Sequence, residues 1–193
     1  MRILVIVTSI IVFSATAGSF ITAEFQVPQP LRVKAFSPED IINQISQEKL
    51  QKKYHMAEDV SRHIYAANGC EDEDLIYITA RKAVDHNIPA RVLSALIFVE
   101  SSCHSQASSK RYSCGYMQVN SRVWNIPCED LMDPERGIEE GTKILSSYKK
   151  LHGLRGGLHH YLGMGTDDGT ISGDDYATKV LTVAGYRHPE LVQ

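Results

Sequence analysis

The sequence has no concentrated block of lysine or arginine. Its 193 residues carry 20 basic and 23 acidic side chains, which give a formal net charge of −3 at pH 7. Proteins that bind nucleic acid or anionic membranes gather positive charge on one face, so this composition argues against both kinds of partner. With 43% hydrophobic and 22% charged residues, the chain suits one globular domain with an extension.

The chain also lacks the common motifs for metals, cofactors and serine nucleophiles. It contains no Cys-x-x-Cys, His-Glu-x-x-His or Gly-x-Ser-x-Gly motif, and no glycine-rich phosphate loop follows a predicted strand. His159 and His160 are adjacent, so their side chains are expected to point apart, and His152 lacks the spacing of a zinc-binding helix. We therefore expect neither a metal nor a cofactor.

The apolar run at the N-terminus is short for a membrane span, which needs about 20 apolar residues. Arg2 precedes an apolar stretch at residues 3–13, and Ala15, Thr16 and Ala17 fit a small-x-small cleavage site. This pattern predicts a signal peptide over residues 1–17, with an uncleaved anchor as the alternative. We expect export to the periplasm or cell envelope.

The cysteines are few but even in number, which suggests disulfides in an exported protein. The four cysteines can pair in three ways, and the sequence does not choose among these ways. They are Cys70, Cys103, Cys114 and Cys128. We favour Cys103–Cys114, which brackets a short polar loop, with Cys70–Cys128 as the second pair. The alternative is that some of the cysteines stay free and buried.

Hydrophobic patterning predicts a mainly helical α+β protein with at most one small hairpin. Residues 24–36 contain two prolines in a polar stretch and are predicted to form a linker. Ser37 is a suitable N-cap for a helix that continues to Ala67, with a break near His55 left open. We divide the chain into a signal peptide (1–17), a linker with an N-terminal helical extension (18–70) and a globular domain (71–193).

Glu100 ends an apolar helix that is predicted to begin at about Pro89. It lies three residues after Ile97, four after Leu96 and seven after Leu93, so it shares their inward face. Burial and the helix dipole both disfavour a negative charge there and raise the pKa of the carboxyl. A protonated carboxyl can donate a proton to a leaving oxygen. The alternative is a solvated residue at a helix end.

Several short motifs lie between residues 75 and 187. They are Glu100-Ser101, Ala107-Ser108, Gly115-Tyr116-Met117-Gln118, Leu131-Met132-Asp133-Pro134 with Ile138 and Gly141, Tyr161, and Tyr176 with Val180 and Tyr186. Their order and spacing resemble the catalytic core of soluble lytic transglycosylases, in the goose-type branch of the lysozyme-like superfamily. The small secretion- or phage-associated members are the most similar. Leu162 and Gly137 depart from the family, which usually has asparagine at both positions.

The resemblance implies a lysozyme-like fold and cleavage of peptidoglycan at the β-1,4 bond between N-acetylmuramic acid and N-acetylglucosamine. Glu100 would serve as the catalytic acid and then as the base, which gives 1,6-anhydromuramyl products. The expected partners are glycan strands, and an envelope-spanning secretion, pilus or phage assembly is a further candidate. We expect a monomer that binds no nucleic acid.

Five residues are candidate substrate contacts: Ser101, Met117, Gln118, Tyr161 and Tyr176. Gln118 carries both a donor and an acceptor, which suits sugar amides and hydroxyls. Tyr161 can stack on a sugar and orient the acid, Ser101 can hydrogen-bond near the acid, and Met117 can line the cleft. Structural roles remain open for each of these three, as a core residue or a helix-end serine. Trp124 is either a sugar platform or a core residue.

No second carboxylate stands out as a partner for Glu100. The aspartates that follow fit helix caps and turns: Asp133, Asp167, Asp168, Asp174 and Asp175. Ordinary glycosidases use two carboxylates, whereas a single acid fits a transglycosylase whose substrate stabilises its own cation. Two alternatives stay open, a hydrolysing muramidase and a non-catalytic wall-binding protein with the same fold, and Leu162 mildly favours the second.

Overall fold

A computed structural model describes residues 37–163 and 172–193. Its helices are α1 (Pro38–Ala67), α2 (Glu73–Asp85), α3 (Ala90–Ser101), α4 (Ser121–Trp124), α5 (Cys128–Met132), α6 (Pro134–Gly163) and α7 (Gly173–Val183), followed by a short 3₁₀ turn at Pro189–Leu191. Strands β1 (Ser113–Cys114) and β2 (Val119–Asn120) pair antiparallel between α3 and α4. The predicted mainly helical α+β fold with one small hairpin is confirmed.

Helix α1 begins where the sequence predicts. Ser37 accepts a hydrogen bond from the backbone N–H of Asp40, and the Asp40 carboxylate accepts one from the N–H of Ser37, which completes a capping box. The helix runs without interruption past His55, so the break left open there does not occur. Its buried residues all lie in the C-terminal half: Ala57, Ser61, Ile64 and Tyr65.

Helix α3 lies at the centre of the core and contacts α1, α2 and α7. Leu93, Leu96 and Ile97 have no exposed side-chain surface. The helix ends at Ser102, which adopts a left-handed conformation with φ of 50°. Because the apolar stripe of α3 faces the core along its whole length, the last turn carries Glu100 to the edge of that core.

The two disulfides correct the predicted pairing. Cys70 bonds to Cys103, with their Cα atoms 6.2 Å apart, and Cys114 bonds to Cys128, at 5.6 Å. The predicted pairs Cys103–Cys114 and Cys70–Cys128 are therefore wrong. The reason is tertiary packing: α1 lies against α3, which brings together the residues that follow each helix, and β1 lies against α5.

The predicted signal peptide, residues 1–17, lies outside the described residues. Within residues 37–163 and 172–193, none of the helices combines the length and apolarity that crossing a membrane requires. Helix α6 contains one non-helical residue, Gly153, with φ of 73°. The carbonyl of Gln193 accepts a hydrogen bond of 3.1 Å from the N–H of Leu154, so the chain end contacts α6 at this interruption.

Candidate active site

A cleft of about 400 Å³ opens beside the carboxyl end of α3, and Glu100 lines it. Its apolar and aromatic lining comes from Val119, Trp124, Ile144, Tyr148, Tyr161 and Leu162. Its polar lining comes from Ser109, Lys110, Arg111, Ser113, Gln118 and Asn120. We call Glu100, Tyr161 and Tyr176 the acid wall, and residues 109–113 together with α4 the rim.

Glu100 is half-buried, one residue before the end of α3. Burial raises the pKa of its carboxyl to about 7, although a hydrogen bond from Tyr176 and the positive charge of Lys179 both lower it. The direction of this pKa shift is the one expected from the sequence. At neutral pH a large fraction of the Glu100 carboxyls is therefore protonated and able to donate a proton into the cleft.

Tyr176, on α7, holds the carboxyl of Glu100. Its hydroxyl donates a short hydrogen bond to Oε1 of Glu100, and its side chain is only 3% exposed. Burial, followed by the charge of Glu100, raises the pKa of Tyr176 well above its ordinary value, so the phenol stays protonated and remains a donor. The sequence predicts a substrate contact at Tyr176, and the structure places its hydroxyl on the acid.

Tyr161 lies on α6 and lines the cleft. Its hydroxyl donates a hydrogen bond of 2.8 Å to the backbone carbonyl of Met117. Burial and then the charge of Glu100 raise the pKa of Tyr161 well above its ordinary value. With the hydroxyl occupied by Met117, the part of Tyr161 that remains for a ligand is the aromatic ring, which suits contact with an apolar sugar face.

Gln118 is the last residue of the tight turn between β1 and β2. Its own φ is 47°, and its side-chain amide donates to the carbonyls of Ala107 and Gly115, at 3.0 and 2.9 Å. These two bonds leave the side-chain oxygen of Gln118 as an acceptor at the cleft. They also join the loop after α3 to the hairpin, so Gln118 is held in place on two sides.

Met117 and Ser101, two of the predicted substrate contacts, are both buried. Met117 is 1% exposed and packs so closely on α6 that a methyl group added at Gly141 would lie 2.6 Å from its sulfur. The Ser101 hydroxyl donates a hydrogen bond of 3.0 Å to the carbonyl of Ile97, within its own helix. Neither side chain belongs to the cleft lining given above.

Trp124, Tyr148 and Leu162 also line the cleft. From the sequence, Trp124 is either a sugar platform or a core residue. It is 37% exposed, and its ring is therefore accessible to a ligand. Sequence reasoning missed Tyr148, because a tyrosine on the apolar face of a long helix is indistinguishable from a core residue. Leu162, the departure from the family asparagine, adds an apolar surface to the cleft.

Within the described residues, Glu100 is the only carboxylate that lines the cleft. Asp133 caps α6 through a 2.8 Å bond from the N–H of Arg136, and Asp175 accepts a bond from the Ser172 hydroxyl at the start of α7. Asp174 lies 3.4 Å from His159. The other two aspartates considered from the sequence, Asp167 and Asp168, lie outside the described residues.

Three histidines cluster on α6. The ring centroids of His152 and His160 are 4.1 Å apart, and those of His159 and His160 are 5.3 Å apart, so the adjacent pair does not point apart as expected. Among residues 37–163 and 172–193, no group of three or more His, Cys, Asp or Glu side chains is placed to hold a metal ion.

The described residues form a mainly helical domain whose cleft contains a half-buried glutamic acid with a raised pKa. Residues 77–159 match the family model of the transglycosylase SLT domain. This stretch is less than half of the chain, and the match confirms the resemblance to lytic transglycosylases. An SLT domain implies a transglycosylase-type action on peptidoglycan. No curated protein and no solved structure matches the chain.

Proposed function

We propose that the protein is an exported peptidoglycan lytic transglycosylase that cleaves the β-1,4 bond between N-acetylmuramic acid and N-acetylglucosamine. The observation that carries the proposal is the position of Glu100, whose pKa is raised to about 7 in a cleft inside an SLT domain. A carboxyl with this pKa is protonated often enough at neutral pH to act as an acid, and it ionises easily enough to act next as a base.

In the first step Glu100 donates its proton to the glycosidic oxygen. The bond between that oxygen and the anomeric carbon of the muramyl ring breaks, and its electron pair leaves with the oxygen. The acetamido oxygen of the same sugar stabilises the positive charge that develops on the ring. This route needs no second carboxylate, which agrees with the described lining of the cleft.

In the second step the Glu100 carboxylate accepts the proton of the muramyl 6-hydroxyl. The 6-oxygen bonds to the anomeric carbon and displaces the acetamido oxygen, which gives a 1,6-anhydro ring. Glu100 is then protonated again, and no water is consumed. Tyr176 donates to Glu100 and thus stabilises the carboxylate form that this second step requires.

The remaining cleft residues have roles that follow from their placement. Tyr161, Tyr148 and Trp124 offer aromatic rings for sugar faces, and the side-chain oxygen of Gln118 can accept from a sugar hydroxyl or amide. Met117 and Ser101 act through packing, since both are buried. We assign Tyr176 to the positioning of Glu100.

Export to the periplasm or cell envelope is part of the proposal. It rests on the predicted signal peptide and on the two disulfides, which persist in oxidising compartments. The substrate is then the glycan strand of the wall, where opening the mesh would serve a secretion, pilus or phage assembly. We propose that the protein works as a monomer.

The test combines an activity assay with product analysis. Glu100→Gln keeps the size of the side chain but removes the acid, so lysis of purified cell wall in a zymogram is expected to fall at least about a hundredfold. Glu129→Gln is the matched control, because Glu129 is exposed and absent from the cleft lining. Equal lysis by the wild type and Glu100→Gln contradicts the assignment of the acid.

Mass spectrometry of the released fragments separates the proposed reaction from its alternatives. A transglycosylase releases anhydromuramyl fragments, each lighter by one water than the product of a hydrolysing muramidase. Hydrolysed products contradict the second step but leave Glu100 as the acid. An absence of released fragments, together with binding to the wall, identifies a non-catalytic wall-binding protein.

A further inference from the structure

The chain segment that forms one side of the cleft has a charge opposite to that of the whole protein. Between Glu100 and Glu129 the sequence contains no aspartate or glutamate, but it contains Lys110, Arg111 and Arg122. The protein as a whole has a formal net charge of −3. The segment that carries the rim is therefore net positive because it lacks acidic residues.

These cations lie at the cleft or directly beside it. Lys110 and Arg111 line it, and Arg122 follows Asn120, which also lines it. Lys110 is exposed, and among the described residues no carboxylate pairs with it. The one described carboxylate in the cleft lining, Glu100, carries on average only about half a negative charge at pH 7, because burial raises its pKa to about 7. The charge that a ligand meets at the rim is therefore positive.

Hydrogen bonds hold the backbone of the rim in place. The N–H of Ser109 donates to the carbonyl of Ser113 at 2.9 Å, and the N–H of Ser113 donates to the hydroxyl of Ser109 at 3.1 Å. The side-chain amide of Asn120 donates to the carbonyl of Arg111 at 3.0 Å, which ties residues 109–113 to β2. A surface ordered before binding loses less conformational entropy when a ligand arrives.

The side chain of Arg122 is also held in place. Its guanidinium carbon lies 3.2 Å from the centroid of the Tyr112 ring, in a cation–π contact. The stacked guanidinium keeps its N–H groups at its edge, where they can bind a carboxylate. The rim therefore combines the exposed ammonium of Lys110 with an oriented guanidinium, next to the aromatic ring of Trp124.

We infer that the rim binds the carboxylates that project from peptidoglycan, chiefly those of its stem peptides, and so favours anionic strands over neutral glycan. This inference rests on the proposed function. While the sugar rings occupy the cleft, the stem peptides extend from the muramyl residues towards its edge. Carboxylates are the complementary partners for the Lys110 and Arg122 side chains, and both partners remain exposed, so the attraction is sensitive to salt.

The test measures binding and does not depend on turnover. The Glu100→Gln protein is sedimented with purified peptidoglycan, either untreated or with its carboxylates converted to amides. We expect conversion to amides to weaken binding about tenfold at low salt, as for two exposed ion pairs. Adding Lys110→Gln and Arg122→Gln is expected to abolish this difference. Lys52→Gln with Arg187→Gln, exposed positions away from the rim, forms the matched control and is expected to retain it.

The outcomes separate this inference from the proposed function. Equal binding of the parent protein to untreated and amidated peptidoglycan contradicts the inference alone, since the sugar contacts then suffice. The inference is also contradicted if the control pair, Lys52→Gln with Arg187→Gln, loses the difference in binding between untreated and amidated peptidoglycan as fully as the rim pair does. The effect would then depend only on net charge. Failure to bind either preparation contradicts both the inference and the proposed function.

Discussion

The acid wall and the rim border the same cleft, but they are built in different ways. The acid wall consists of side chains on three long helices, and its key donor, Tyr176, is 3% exposed. The rim consists of exposed residues whose backbone is held by short-range hydrogen bonds and by the disulfide from Cys114 to Cys128. Burial at the acid wall shifts a pKa, whereas at the rim the side chains of Lys110 and Arg122 are exposed to a ligand.

The difference separates two requirements of the proposed reaction. Proton transfer needs a carboxyl whose pKa lies near the working pH, and at Glu100 desolvation is the largest cause of this shift. Recognition of a long polymer needs accessible groups of the right charge. The two regions are therefore expected to respond separately to substitution.

The largest effect is expected at Gly115, where the rim loop passes into the hairpin that carries Gln118. A methyl group there would lie 1.8 Å from the carbonyl oxygen of Leu131, and φ is 76°. Gly115→Ala is therefore expected to lower the free energy of unfolding by about 3 kcal/mol or more. Gly69→Ala is the control, since φ is 75° but nothing lies within 4 Å, and about 1 kcal/mol is expected. Urea unfolding measures the loss of stability in both variants. Equal losses would contradict the close approach of Gly115 to the carbonyl oxygen of Leu131.

The next effect concerns stability against pH at the acid wall. The pKa of Glu100 is about 7 in the folded chain and near 4.5 when unfolded. The stability that this raised pKa contributes is complete below pH 4.5 and is lost as the pH rises through 7. Glu100→Gln cannot ionise, so its stability relative to the wild type is expected to increase by about 3 kcal/mol between pH 4.5 and 8.

Urea unfolding at the two pH values measures this change, and Glu129→Gln serves as the exposed control. The control is expected to track the wild type at both pH values. A constant difference between Glu100→Gln and the wild type would mean that Glu100 ionises in the folded protein as easily as in the unfolded one, and the contrast between acid wall and rim would then disappear.

A smaller effect is expected for Tyr176→Phe, which removes the hydroxyl that donates to Glu100. Since this hydrogen bond lowers the pKa of Glu100, its loss moves the high-pH fall of activity to higher pH. Activity below that fall is expected to drop about tenfold, because the carboxylate form loses a donor. Tyr116→Phe is the control, because the Tyr116 hydroxyl donates to Asp72. A pH profile unchanged by Tyr176→Phe contradicts the positioning role.

The acid wall could be predicted in part from the sequence. The spacing of Leu93, Leu96 and Ile97 places Glu100 on the inward face of its helix and gives the direction of its pKa shift. The partner of Glu100 could not be predicted, since Tyr176 is 76 residues away and only tertiary packing brings its hydroxyl to the carboxyl. The local sequence pattern likewise did not decide whether Met117 packs in the core or lines the cleft.

The rim and the disulfides were harder to predict. The pairing of Cys70 with Cys103 depends on α1 lying against α3, and a sequence pattern gives helices but not their mutual packing. The positive charge of Lys110 and Arg122 is visible in the sequence, but only the structure places Lys110 in the lining of the cleft that contains Glu100, and Arg122 over the ring of Tyr112.

The pKa of Glu100 tests the central claim most directly. NMR titration of the wild-type protein, with ¹³C at the glutamate side-chain carboxyls and Glu100→Gln to assign the signal, measures it without substrate. We predict a titration midpoint near 7, well above the ordinary glutamate value. A midpoint near the ordinary glutamate value of 4.5 would contradict the claim that burial at the acid wall prepares Glu100 to donate a proton.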